Sequence, residues 1–313
     1  MFKISTKSRI DILTYGLPFD KLFITSNQEM KLLYKLLFLL FISIGTNAQP
    51  YLDLGNVVYH ASPGGDPKIF THFRAQANLP LVMKDSSIFV INPNWEERWI
   101  KINEQSEQVH LRGFITWLTY SKPISRNWSA MMAFIPRWNG EPSVQFSNGF
   151  QAGGAILMTN RVSPAFTYKF GLYYNREFWG NFFIPLIGVD WIINKKQRLF
   201  GILPGYLTYE NRISSRISWG GNFRTFTNSY RLSEKQISNA IYNFMRIDDN
   251  QLGAYADAYL TKNLVITGEA GYSLFRKVRE GYGKTSKEEY LVLSNNSAPY
   301  FKLTLQYRIR LDK

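Results

Sequence analysis

The sequence predicts an all-β fold, a transmembrane antiparallel up-and-down β-barrel of about 12 strands, and the even strand numbers of bacterial barrels allow about 10–14. Three observations predict it: a strictly alternating segment near the carboxyl end, a secretory signal upstream, and repetition of the alternation along the chain. A barrel wall lies between lipid and a polar interior, so its strands need one apolar face and one polar face.

The segment near the carboxyl end has the clearest alternation. Residues 299–311 read PYFKLTLQYRIRL. One face is apolar and carries Phe301, Leu303, Leu305, Tyr307, Ile309 and Leu311. The other is polar or cationic and carries Tyr300, Lys302, Thr304, Gln306, Arg308 and Arg310. Because successive strand side chains point to opposite faces, we expect the apolar set to face lipid and the polar set to face the lumen.

Segments with the same pattern fill most of the chain before it. Tilted barrel strands need about 9–11 residues to cross a bilayer, and these segments are of that length. Alternation is clear over 111–120, 165–175, 182–193, 215–226 and 263–275, and weaker over 54–61, 68–78, 80–92, 127–138, 148–160, 198–210 and 251–260.

The connections between these segments complete the plan of the barrel. Residues 194–197 and 261–263 are short and are expected to be periplasmic turns. Leu203-Pro204-Gly205 leaves open whether residues 198–210 form one strand or two. Residues 277–298 are rich in both charge signs and are expected to form a long solvated loop.

The amino-terminal region has the layout of an export signal. Lys31 and Lys35 are followed by an apolar run over 36–44 and by Thr46-Asn47-Ala48. That run is shorter than the about 20 residues that a spanning helix needs. We therefore expect residues 1–29 to be an upstream over-assignment of the start, residues 30–48 to be a signal peptide cleaved near Ala48, and residues 49–313 to be one barrel domain.

Tryptophan side chains fall near the expected strand ends. An amphipathic ring prefers the membrane–water interface, so the sequence predicts an aromatic girdle formed by Trp95, Trp99, Trp128, Trp138, Trp179 and Trp191. Packing in the core of a soluble β-sandwich is the alternative.

One segment breaks the alternation and predicts a short helix over 234–245 inside a long extracellular loop. Ser233 and Gln236 match a capping box, and Leu232 and Ile237 match a hydrophobic staple. Apolar residues then recur at helical spacing. This stripe is expected either to constrict the barrel mouth or to pack on neighbouring loops at the rim, and it consists of Ile237, Ile241, Phe244 and Met245.

The second half of the chain resembles a known family. The segments that carry the resemblance are IPLIGVDWIIN at 184–194, LPG at 203–205 and YLTKNL at 259–264, followed by the alternating carboxyl end. In these segments the chain resembles an uncharacterised family of outer-membrane β-barrel proteins found in Bacteroidota, a domain of unknown function. The resemblance is sharpest over 165–313. It implies an outer-membrane barrel and implies no activity.

Charged residues on the polar faces are the candidate lumen lining. An Arg or Lys at the lipid midplane costs ~2–4 kcal/mol, which favours an inward position. The candidates are Arg112, Lys169, Asp190, Glu210, Arg224, Asp257, Glu269, Lys302, Arg308 and Arg310. Both charge signs are present, so the interior is expected to be either a salt-bridged plug or a polar channel.

The sequence offers little for catalysis, and we expect no enzymatic activity. Its 3 histidines are His60, His72 and His110, and none accompanies a serine-hydrolase, zinc-protease or phosphate-loop motif. The chain has 0 cysteines, which excludes disulfides, thiol catalysis and cysteine-bound metal. No cofactor and no metal is expected.

The partners follow from the charge and the export signal. The formal net charge is +14, but the basic residues are scattered singly, so nucleic acid is not expected. The expected location is the bacterial cell outer membrane. The expected partners are outer-membrane lipid and lipopolysaccharide, the barrel-assembly machinery and possible small polar solutes, and the oligomeric state is left open.

These observations support three functional hypotheses. The leading one is a passive or weakly selective pore for small polar solutes. The second is a closed structural or interaction barrel that binds a partner or a polysaccharide through its extracellular loops. The third, a membrane-embedded hydrolase, lacks a catalytic triad that the sequence can supply.

Overall fold

The structure is a computed structural model that describes residues 51–63, 67–237, 240–281 and 290–311, without the side chains of 235–237, 240, 241 and 290. The expected signal peptide and the upstream segment lie outside the described residues. No helix in the described part of the chain is long and apolar enough to cross a membrane.

The described chain is almost entirely β-structure. One four-residue helix, α1 (Phe146–Gly149), precedes a strand. The strands are β1 (Tyr51–Pro63), β2 (Ile69–Ala77), β3 (Leu79–Val82), β4 (Ile88–Lys101), β5 (Val109–Pro123), β6 (Trp128–Gly140), β7 (Phe150–Ser163), β8 (Phe166–Glu177), β9 (Gly180–Ile192), β10 (Gln197–Leu203), β11 (Tyr206–Arg212), β12 (Ile217–Ile237), β13 (Ala240–Tyr259), β14 (Leu264–Gly281) and β15 (Tyr290–Arg310).

The strands close into an antiparallel barrel, which confirms the predicted fold class. Consecutive strands pair with each other except β2 and β3, β1 pairs with β15, and β2 pairs with β4. The closed wall has 14 strands, and β3 lies outside it. The expected number of about 12 is therefore low by two, although 14 lay within the range that even strand numbers allow.

The fifteenth strand, β3, continues the line of β2 past the edge of the wall. Gln76 pairs with Asn94, and Leu79 pairs with Ile91, so both strands follow one register along β4. Asn78 separates them, and its side-chain amide donates to the Asp53 carbonyl at 2.6 Å. β3 therefore extends the edge of β4 that β2 occupies, and it pairs only with β4.

The two ends of the barrel differ. At the end where β1 begins and β15 ends, the terminal end, short turns such as 193–196 and 260–263 join the strands. In the turn at 83–87, Asp85 accepts hydrogen bonds from the backbone and hydroxyl of Ser87, which lower the pKa of Asp85. At the opposite end, the mouth end, β12 to β15 extend much further than β9 to β11.

Two expectations at the mouth end are wrong. The residues expected to form a helix over 234–245 belong to β12 and β13, apart from 238–239, which lie outside the described residues. Residues 277–281 and 290–298 of the expected loop over 277–298 belong to β14 and β15, and residues 282–289 lie outside the described residues. The reason is the cross-strand ladder, which pairs β12 with β13 up to Ile237 and Ala240. Because that ladder satisfies the backbone polar groups over many residues, it outweighs a local capping signal.

The ambiguity at Leu203-Pro204-Gly205 is resolved in favour of two strands. β10 and β11 pair with each other from Gln197 and Asn211 to Ile202 and Tyr206. The turn between them holds Pro204 and Gly205, and this extra hairpin gives the wall its even number of strands.

The outer wall is apolar, as a lipid-facing surface requires. On β15 the outward side chains are 46–58% exposed, from Phe301 to Tyr307. Near the terminal end, Trp191 and Trp219 are 44% and 45% exposed, and Trp128 packs edge-on against outward Phe170. At the mouth end Trp99 stacks on His110, so aromatic rings lie on the outer wall near both ends.

Arg112 is the one candidate lumen residue that the structure places on the outer face. It pairs across the sheet with Glu97, on the same face as the exposed rings of Trp95 and Phe114. Its Nε donates to Glu97 Oε1 at 3.0 Å, and His110 contacts the other oxygen of that carboxylate. The alternation on β5 places Arg112 on the face opposite to Leu111. Because Leu111 belongs to an apolar cluster inside the barrel, Arg112 faces outward and not into the lumen.

Candidate functional site

The inner wall carries a network of ion pairs. The structure places the nine other candidate lumen residues on inward positions, and each of them lies in an ion pair with an acidic or basic neighbour. These contacts are Lys169–Asp190 at 2.7 Å, Arg310–Glu210 at 2.8 Å, Arg308–Asp257 at 2.7 Å, Arg308–Asp53 at 2.7 Å, Arg224–Glu269 at 3.1 Å and Lys302–Glu269 at 2.6 Å.

Glu269 is the centre of the largest of these groups. Its carboxylate, 1% exposed, accepts from Arg224, Lys302, the Asn222 amide at 2.9 Å and the Tyr300 hydroxyl at 2.7 Å. Four donors from β12 and β15 thus converge on one residue of β14. Charge-assisted hydrogen bonds from these donors take the place of the water that would otherwise solvate the carboxylate.

At the mouth end, the extended part of β12 crosses to another part of the wall. Above Arg224 and Thr225, β12 has passed the end of β11, and only β13 remains beside it. β12 then reaches across to β6, where Arg231 pairs with Gly140 in parallel and the Arg231 carbonyl accepts from the Glu141 amide at 2.9 Å. We call residues 225–237 and 240–250 the mouth hairpin.

Ser229 joins the mouth hairpin to the far wall. Glu177 Oε2, at the end of β8, accepts from the Ser229 hydroxyl at 2.5 Å and from the Ser229 amide at 3.0 Å. The Ser229 hydroxyl in turn accepts from Gln151 Nε2 of β7 at 3.1 Å. Asn139 of β6 donates its side-chain amide to the Ser229 carbonyl at 3.3 Å. One serine therefore contacts three strands across the mouth, of which only β6 pairs with β12.

Tyr230 makes the matching connection on the other side. Its hydroxyl donates to Glu96 Oε1 of β4 at 2.5 Å and accepts from Arg98 Nε at 2.8 Å. The same Glu96 carboxylate contacts Arg98 Nη2 at 3.1 Å and His72 Nε2 at 3.0 Å. All four side chains are largely buried, so the hairpin is held between β4 and β6–β8 by partners that water does not reach.

An apolar cluster fills the space between these two polar connections. It draws on strands β2, β4, β5, β12, β13 and β14, and every member is at most 2% exposed. The members are Phe70, Ile100, Leu111, Tyr230, Leu232, Met245, Ile247 and Val278. A cluster of this kind inside a barrel, rather than on its outer face, excludes water from the part of the interior that it fills.

Of the stripe expected to constrict the mouth or to pack at the rim, the structure describes two side chains, those of Phe244 and Met245. Met245 belongs to the apolar cluster and Phe244 is 2% exposed, but both lie on a strand and not on a helix. The side chains of Ile237 and Ile241 lie outside the described residues.

The histidines do not assemble a catalytic group in the described residues. His60 and His72 face each other across β1 and β2, and His110 lies on the outer wall. His72 contacts a carboxylate, Glu96, but no serine. Among the described residues, no cluster of three or more histidine or acidic side chains is placed to hold a metal ion.

Sequence reasoning missed the residues that tie the hairpin down. Ser229 and Tyr230 lie 52 and 134 positions from their partners Glu177 and Glu96, and their neighbourhood gives no motif. β12 has 21 residues, more than the about 9–11 that a membrane-crossing strand needs, but the clear alternation ends at Phe226 and gives no sign of this length.

A closed antiparallel wall with an apolar exterior and an ion-paired interior defines the class of outer-membrane-type β-barrels. The chain belongs to the family described as domain of unknown function DUF6268, whose model matches residues 110–308. No curated protein matches the chain.

Several solved porins and channels share the barrel form at very low sequence identity. The NanC porin is 8% identical over 82% of this chain and 100% of its own, with a TM-score of 0.40. The toluene transporter TodX of Pseudomonas putida is 9% identical over 86% and 92%, with a TM-score of 0.38. A porin of Rh. blastica is 9% identical over 82% and 98%, with a TM-score of 0.26. With TM-scores below 0.5, these likenesses carry no argument about this chain.

Proposed function

We propose that the protein is a bacterial outer-membrane channel for small polar solutes that its own mouth hairpin closes. The exposed apolar side chains of the outer wall support the membrane location, and the inward charges support a polar solute. Export through the signal peptide over 30–48 is part of this proposal.

The observation that carries the proposal is the attachment of the hairpin by hydrogen bonds at two side chains. Ser229 and Tyr230 meet buried carboxylates, Glu177 of β8 and Glu96 of β4, beside the apolar cluster that the hairpin shares with the wall. Polar contacts can exchange for contacts with water when the hairpin lifts, which lowers the cost of a second position of the hairpin.

The test is single-channel recording on residues 49–313 purified in detergent and added to a planar bilayer. Wild type is expected to open rarely, and the double variant Ser229→Ala/Tyr230→Phe is expected to open at least tenfold more often. Tyr272→Phe is the matched control because Tyr272 is 46% exposed on the outer wall. A folded double variant with the same open fraction as wild type contradicts the proposal.

The second candidate is a closed interaction barrel, and the burial of its ion pairs favours it. Asp257, Glu210 and Arg308 are 2%, 1% and 4% exposed, as expected for an interior filled by side chains. Deleting residues 229–246 with a turn between Asn228 and Ile247, which pair directly, separates the two candidates. Continuous conductance supports the channel, and silence from a folded, heat-modifiable barrel supports the interaction barrel.

A further inference from the structure

A row of basic side chains crosses the inner wall below the mouth hairpin. Lys302 of β15 pairs with His60 of β1, His60 pairs with His72 of β2, and His72 pairs with Arg98 of β4. Directly paired residues share a face, so the four side chains lie side by side across four strands. Lys302 is satisfied by Glu269, and His72 is satisfied by Glu96.

Arg276 approaches this row from β14 and is fully buried, with 0% exposure. Its Nη2 donates to the hydroxyls of Ser62 at 3.2 Å and Ser273 at 2.5 Å, and its guanidinium lies 4.1 Å from the Phe70 ring centroid. Its nearest acid is Asp249, 3.6 Å from Nε. Nη1 and Nε have no hydrogen-bond acceptor among the described residues.

His60 lies next to Arg276 and is also unsatisfied. The two side chains share Phe70, whose ring centroid is 6.0 Å from that of His60, and Ser62 on the same inner face as His60 binds Arg276. His60 is 2% exposed, and neither of its ring nitrogens has a partner in the described part of the protein.

Two further guanidinium nitrogens in this region lack acceptors within the described ranges, Arg98 Nη1 and Arg74 Nε. Arg98 is in the row, and Arg74 pairs with Glu96 in the next row. Leaving a buried polar group unpaired costs about 1–3 kcal/mol, and more if it is charged. Four neighbouring residues that each leave a donor nitrogen unpaired therefore require a common explanation.

The charge balance indicates which chemistry supplies the acceptor. Three guanidinium groups, Arg74, Arg98 and Arg276, face two carboxylates, Glu96 and Asp249. Glu96 is already shared among His72, Arg98 and Tyr230. A group that only accepts hydrogen bonds and carries negative charge satisfies these donors and the excess cation together, whereas a cation or an alcohol does not.

We propose that the protein binds a small oxyanion, a phosphate, sulfate or carboxylate group, inside the barrel beneath the mouth hairpin, with Arg276 as the main ligand and His60 and Arg98 beside it. The site requires the barrel and the hairpin that buries it. It does not require that the barrel conducts, so the binding test and the conductance test fail independently.

The experiment measures thermal unfolding of folded residues 49–313 in detergent with inorganic phosphate, with sodium acetate and with sodium chloride at equal ionic strength. Phosphate or acetate is expected to raise the unfolding temperature above that in chloride, because a ligand that binds only the folded state stabilises it. Calorimetric titration with the more effective anion then gives the affinity. Equal unfolding temperatures in all three salts overturn the proposal.

Two variants locate the site. Arg276→Gln is expected to abolish the anion-dependent shift. His60→Gln is expected to weaken anion binding about tenfold. This variant should fold even if Arg276→Gln does not, because His60 has no described hydrogen bond to lose. Lys169→Gln, which removes the cation of the separate Lys169–Asp190 pair, is the control and should retain the shift. An anion-dependent shift unchanged in both His60→Gln and Arg276→Gln overturns the assignment.

Discussion

Ser229 donates its hydroxyl to Glu177 at 2.5 Å, across 52 positions of the chain and between two strands that are not neighbours in the wall. A sheet ladder cannot place these residues together, because β12 and β8 are separated by three strands. The contact exists because β12 leaves the end of β11 and leans over the mouth. Its free energy therefore reports on the position of the hairpin rather than on the stability of the wall.

Removing the charge of Glu177 should loosen the hairpin without unfolding the barrel. Glu177→Gln keeps the shape but replaces one oxygen by a donor that faces the Ser229 amide and hydroxyl. A hydrogen bond to a charged group contributes about 1.5–3 kcal/mol, so hydrogen exchange of the Ser229 amide should speed up about 10–100-fold. Exchange is read by mass spectrometry of a peptide spanning 226–232.

The control for that change is Glu107→Gln, at an exposed position between β4 and β5. It should leave the exchange of the same peptide unchanged. Slow exchange in Glu177→Gln would show that other contacts hold the hairpin.

Glu269 should be the most costly inner-wall carboxylate to neutralise. Glu269→Gln leaves Arg224 and Lys302 facing each other without an intervening negative charge. Breaking a buried pair by removing one partner costs about 3–5 kcal/mol, so the urea midpoint of unfolding should fall clearly. The matched change Asp85→Asn, in an exposed turn, should move the midpoint little.

Gly253 should resist even the smallest side chain. A Cβ at this position would lie 2.3 Å from the Tyr300 hydroxyl, which donates to Glu269. Gly253→Ala should displace the tyrosine and cost about 1–3 kcal/mol of stability. Gly268→Ala is the matched control, because nothing lies within 4 Å of a Cβ there. Equal unfolding midpoints for the two variants would contradict the packing described around Tyr300.

The direction of the β15 side chains can be tested at Leu303, which is 57% exposed on the outer wall. Leu303→Arg should impair membrane insertion by ~2–4 kcal/mol if the position lies near the midplane. Leu303→Met should be tolerated. The readout is the fraction of heat-modifiable, folded barrel after refolding into lipid vesicles, and equal fractions for both variants would place Leu303 away from lipid.

Sequence reasoning succeeded where the alternation within a single strand decides which way its side chains point. On β15 the apolar and polar faces follow directly from alternate residues, and the structure exposes Phe301 and Leu303 while burying Thr304 and Gln306. It failed on β5, because a side chain's face there depends on the cluster around Leu111 and on the Arg112–Glu97 pair at the outer wall. Neither contact is visible within one strand.

The mouth hairpin shows a second limit. Ser233 and Gln236 satisfy a local helix signal, yet the pairing of β12 with β13 decides the outcome. The contacts of Ser229 and Tyr230 depend on how far β12 extends beyond the end of β11. This difference in length cannot be predicted from either strand alone, because it arises only when the strands are assembled into the wall.

The pairing of β1 with β15 has a consequence for assembly. Asp53 and Arg308, which close the ring, are 255 positions apart, so the first strand has only one of its two neighbours until almost the whole chain is in place. Until then it presents an unpaired edge, which promotes association between chains. A barrel joined in this way depends on protection of its early strands until the late one arrives, so the rate at which β15 docks should limit the yield of folded protein.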